Sequence, residues 1–161
     1  MPYQRAKAVE CAHRWAFGRN PLYGDFSRMG GDCTNFISQC IHAGGAAMNF
    51  TPVTGWYYRS LNDRAPAWTG VEELYRFLTS NRGKGPYAVK ASAVEILPGD
   101  VVQLSFDGGA RFGHSLFVVD VGSPPAPGNI LIATHTIDSD YRPLDSWEGV
   151  EYRYLHILGA R

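Results

Sequence analysis

Cysteine is scarce in this chain and does not pair off. Cys11, Cys33 and Cys40 are the only three, and none forms a C-x-x-C unit. An odd, scattered set argues against both a disulfide framework and a zinc knuckle, and leaves at least one thiol free. Neither sign of charge is in excess, since fifteen Lys and Arg balance fifteen Asp and Glu with no basic run. That balance points away from nucleic acid and from an acidic membrane surface as partners. No apolar run is long enough to span a bilayer, and Met1 to Ala16 lacks the apolar core of a secretory signal. The expectation is a protein made without a signal or a sequence that starts after one, so its localisation stays open.

What is present describes a packed globule. With 161 residues, 45% hydrophobic and 13% aromatic, one domain over residues 1–161 is expected, monomeric by default. Apolar residues recur at helical spacing in 3–17, 33–43 and 71–81. From residue 97 the period changes to two, and "PGDVVQL", "HSLFVVDV", "NILIATH" and "VEYRYLHIL" read as strands. Helices followed by an antiparallel meander predict an α+β domain in two layers.

The stretch "GGDCTNFISQCIHAGG", residues 30–45, sets Cys33 at a helix start behind Asp32, a good N-cap. There the positive end of the helix dipole and unpaired N–H groups favour thiolate over thiol. Farther along, "GSPPAPG" is a hairpin turn. A register pairing Val121 with Gly128 also sets His114 opposite His135 on one face. An imidazole that takes the thiol proton, and a polar group that orients the imidazole, complete a nucleophilic triad. Cys33, His114 and His135 fit those roles in that order. Each alone is better explained by packing, and a zinc site built from the three lacks a fourth obvious ligand. Neither a metal nor an organic cofactor is expected.

The same segments carry a resemblance. "GGDCTNFISQCIHAGG", "GWYYRSLNDRAPAWTGVEELYRFL", "PGDVVQLSFDGGARFGHSLFVV" and "THTIDSDYRPL" resemble the bacterial domains described as putative amidases. These are a branch of the papain-like cysteine hydrolases related to the NlpC-type peptidases and CHAP amidases of cell walls. The resemblance runs nearly end to end. It implies a papain-like fold with N-terminal helices on an antiparallel sheet. Cys33 matches the nucleophile, His114 the general base and His135 the orienting residue, with Asp138 as the alternative for the third role.

The backbone N–H of Cys33 is one oxyanion donor, Tyr23 a candidate second, and Asp32 a candidate tuning group. Trp56, Tyr57, Tyr58 and Trp68, with Arg111 and Phe112, are candidate substrate-groove residues as well as candidate packing. The reaction implied is amide hydrolysis through a thioester, on peptidoglycan or a peptide. A toxin-like amidase or deamidase acting on a protein, and an inactive binding module, are the other readings.

Overall fold

A computed structural model describes residues 2–161 as an α+β assembly. Helices α1 (Arg5–Trp15) and α2 (Cys33–Ala43) come first, then the small hairpin β1 (Tyr58–Ser60) and β2 (Asp63–Arg64). Helices α3 (Pro66–Thr69) and α4 (Val71–Ser80) follow. Strands β3 (Pro86–Ala91), β4 (Val101–Ser105), β5 (His114–Asp120), β6 (Leu131–Thr134), β7 (Ser139–Pro143) and β8 (Glu151–Ala160) form one sheet in the order β3-β8-β4-β5-β6-β7. All its pairings are antiparallel.

The sheet is thus not a plain meander, because the last strand inserts between β3 and β4. The four strands read from alternation are there. The two that alternation did not show, β3 and β7, are the sheet's edges. Edge strands tolerate the proline and charge that hide a strand signal, and "SDYRP" has both.

Both faces of the sheet are covered. On one, Phe36, Ile37, Cys40 and Ile41 of α2 pack with Val101, Phe117, Ala133 and Leu155. On the other, Val102, Leu104, Leu116, Val118 and Ile132 pack beneath Ile96, Ile130 and Leu144, supplied by connecting segments. Double coverage is why β4 and β5 are almost wholly buried, as their near-continuous apolar runs require.

Asp100 fixes α1 to the sheet. Fully buried, it pairs with Arg5 at 2.7 Å, accepts from the Ile157 N–H at 2.9 Å, and lies 2.7 Å from His156 Nδ1. The thiols of Cys11 and Cys40 meet between α1 and α2 in a hydrogen-bonding contact. Among the described residues, no helix is long and apolar enough to cross a membrane.

Candidate active site

Two glycines deliver Cys33 to its place. Gly30 and Gly31 have φ of 95° and 108°, a conformation cheap only for glycine, and the chain reverses there into α2. Asp32 then departs from expectation. Its carboxylate makes no capping bond to α2. Oδ1 accepts from the Phe26 N–H at 2.8 Å and Asn35 Nδ2 at 2.9 Å, and Oδ2 lies 2.5 Å from His135 Nδ1.

Cys33 is 7% exposed. Burial pushes its thiol above the ordinary cysteine value, and the Asp32 charge adds to the rise. Backbone hydrogen bonding from Ser115 and the hydroxyl and backbone of Thr34 work in the opposite direction, with Thr34 Oγ1 at 3.8 Å from the sulfur. Burial therefore works against the thiolate that the helix start favours.

His114 opens β5 on the residue before Ser115. Burial first and the Arg142 charge second push its imidazole down to about 4, so it is neutral at neutral pH. Trp147 stands edge-on to the ring at 6.0 Å. Thr134 Oγ1 lies 3.4 Å from Nε2. That hydroxyl has one proton, for which the Ser115 carbonyl at 2.9 Å and the His135 carbonyl at 3.0 Å compete. Its lone pairs are left to accept from an Nε2–H, the tautomer that keeps Nδ1 free as the basic nitrogen.

The two histidines are not opposed. Strands β5 and β6 pair Phe117 with Ala133 and Val118 with Ile132, a register that puts Ser115, not His114, level with His135. A bulge opposite Leu131, where the partner jumps from Val118 to Asp120, separates this register from that of the turn. In a sheet a one-residue slip turns a side chain to the other face. Accordingly, Ser115 meets Thr34 of α2 at 3.0 Å and His135 stacks on Phe36 of α2 at 4.2 Å, while His114 faces Trp147. The three residues offered as a zinc set do not converge, and among the described residues no other cluster of three or more metal-ligating side chains forms.

His135 has both ring nitrogens engaged, Nδ1 by Asp32 and Nε2 by the Trp15 carbonyl at 2.8 Å. With 1% exposure on both sides of the Asp32 contact, it braces the end of α1 against the start of α2. Asp138 is likewise committed. It takes two hydrogen bonds from Arg19, at 2.9 and 3.1 Å, and Arg19 also reaches Asp25 and Asp32.

The aromatic candidates divide. Trp56 and Trp68 are fully buried core residues, their indole N–H groups given to Ser38 and Asn35, so neither lines a groove. Tyr58 accepts the Gly24 N–H at 2.7 Å, and Tyr57 packs with Phe50. Tyr23 stacks near Trp68 and Tyr58, and the thiols acting on its hydroxyl are those of Cys11 and Cys40. Arg111 is exposed, and Phe112 covers the Arg153 guanidinium at 4.0 Å.

Sequence reasoning missed a polar row behind the thiol. Thr34 meets Ser115, Ser115 meets Gln103 at 3.3 Å, and Gln103 Oε1 accepts from Arg153, which pairs with Glu72. Gln103, Ser115 and Arg153 share one row across β5, β4 and β8. The readable signal was polar residues at core-facing positions of otherwise apolar strands, each of which needs a partner.

The profile of the family described as "Putative amidase domain" matches residues 2–158. The uncharacterized protein YhbB of Bacillus subtilis (strain 168) is 38% identical over 168 residues, an alignment covering 97% of this chain and 50% of that protein. The chain thus spans about half the length of that curated relative. No solved structure matches.

Proposed function

This chain belongs to the family described as "Putative amidase domain", and from that premise we propose that it hydrolyses amide bonds with Cys33 as nucleophile and His114 as general base. One observation carries the reading. The only thiol at a helix start is buried against the backbone of Ser115, the neighbour of a neutral histidine whose Nδ1 is free.

The step requires the thiol and the imidazole to meet at the start of β5, where Ser115, the neighbour of His114, contacts Cys33. His114 Nδ1 takes the Cys33 proton as sulfur attacks the carbonyl, and the Cys33 N–H is a donor for the developing oxyanion. The proton passes to the leaving amine, and a thioester remains. Water, deprotonated by the same imidazole, releases the acid and restores the thiol. Thr134 holds the His114 tautomer throughout. His135 and Asp32 act on geometry, as the brace that sets the start of α2.

A cysteine at a helix start and a histidine at a strand start are the parts that the papain-like resemblance implies, and likeness to the cell-wall peptidases supports peptidoglycan as substrate. The test is digestion of purified peptidoglycan by wild type and Cys33→Ala, with mass spectrometry of the soluble products. Fragments from wild type alone are expected, and their masses name the bond. No release by wild type overturns the cell-wall reading. Equal release by both overturns Cys33 as nucleophile.

A further inference from the structure

Arg142 stands beside the base without a carboxylate partner. None of the ion pairs among the described residues includes it. It is nevertheless held firmly. Its backbone is in β7 opposite Ile132, its Nε donates to Ser146 Oγ at 2.7 Å, and its guanidinium lies 3.7 Å from the centre of the Trp147 ring. Trp147 in turn stands against His114. The Nε contact uses one edge of the guanidinium and leaves the Nη groups for a two-pronged acceptor, the geometry a carboxylate fits.

Such an arrangement has a cost that asks for a reason. The Arg142 charge weakens His114 as a base, and a cation fixed near a general base is counterproductive unless something neutralises it during turnover. The neighbouring acids do not. Asp145 acts on Tyr152, and neither it nor Glu148 pairs with Arg142 within 4 Å.

We infer that Arg142, seated on Trp147 and tethered by Ser146, is a subsite for a substrate carboxylate close to the scissile amide. A carboxylate bound there offsets the cation that His114 feels, so the correct substrate also improves the base. The inference rests on the amidase reading and narrows its substrate class. Amides flanked by a free carboxylate are preferred over those in which that group is itself amidated.

The probes are two N-acetylmuramoyl dipeptides that differ only in a free or amidated α-carboxyl on the isoglutamyl residue. Binding is measured on Cys33→Ala by calorimetry, and turnover of matched longer stem peptides on the active enzyme. The free acid is expected to bind about 10- to 100-fold tighter than the amide, in line with a charged two-pronged contact. Arg142→Gln in the Cys33→Ala background removes most of that ratio, and in the active enzyme raises KM more than it lowers kcat. Arg142→Lys, which keeps the charge without the fork, retains part of it.

Equal binding of acid and amide by Cys33→Ala overturns the subsite. So does a ratio that survives Arg142→Gln in protein whose thermal midpoint is unchanged. Should wild type cleave neither stem peptide, the amidase reading fails on its own, and the binding ratio still decides the subsite.

Discussion

His114 and His135 lie at the same end of adjoining strands, and both are buried, yet their surroundings differ in every respect that matters to chemistry. His135 is fully bonded: Asp32 on one nitrogen, the Trp15 carbonyl on the other, Phe36 against its face. His114 has one long contact to Thr134 and a cation for company. A ring whose nitrogens are both engaged ties segments together and has no free site for a transferred proton. The ring left under-bonded is the one able to accept a proton. Bracing thus falls to His135, and the proposed general-base role to His114, on neighbouring strands.

The sharpest way to break this contrast is to remove each ring. His114→Ala is expected to lower kcat about 10³-fold or more with the fold retained, as loss of a general base does. His135→Gln is expected to act mainly through stability. Peptide digestion and a thermal melt on both variants separate the two effects, and equal kcat losses in well-folded proteins would put both rings in the reaction.

Asp32→Ala comes next. It strips a buried partner from His135 and an acceptor from Phe26 and Asn35, and is expected to cost about 3–5 kcal/mol in a urea titration.

The pH dependence of stability reads the His114 side. Above the ordinary histidine value of 6.5 both folded and unfolded chains carry a neutral ring. Between 6.5 and about 4 the unfolded chain takes up a proton that the folded chain refuses. Stability therefore falls as pH drops through that window, by at most roughly 3 kcal/mol, and the loss levels off below it. Arg142→Gln removes one of the two causes of the depression, so this loss becomes smaller in the variant. Histidine NMR titration of both proteins provides the measurement.

Thr134→Val should have the smallest of these effects. Losing the hydroxyl that sets the His114 tautomer is expected to lower kcat about 10-fold with KM little changed, and Thr134→Ser to restore it. A ring ¹⁵N spectrum reports the tautomer directly. If Thr134→Val leaves both the spectrum and kcat untouched, the hydroxyl does not orient His114.

Much of this was legible in the linear order of residues. Helix α2 was read with its observed ends, because a Gly-Gly stop and a stripe of Phe36, Ile37, Cys40 and Ile41 are local signals. The central strands were equally plain. The pairing across β5 and β6 was not, since a single bulge opposite Leu131 changes which residues are level. Nor was the role of Asp32. A helix-start aspartate looks like a cap in any sequence, and only the approach of His135 and the Phe26 backbone gives its carboxylate better partners. The buried Trp56 and Trp68 show the same limit, as nothing in an aromatic cluster tells core from groove.

Local chemistry, then, was determined by the residues in order: a glycine turn that ends in a cysteine at a helix start, and strands with a histidine at the mouth. Facing and partnership were decided by the tertiary structure. They depend on register, on bulges and on which loop covers which face, and each of those is settled by the packing of segments distant in the chain. Periodicity assigns a residue to a strand, but only the neighbouring strand assigns it to a side.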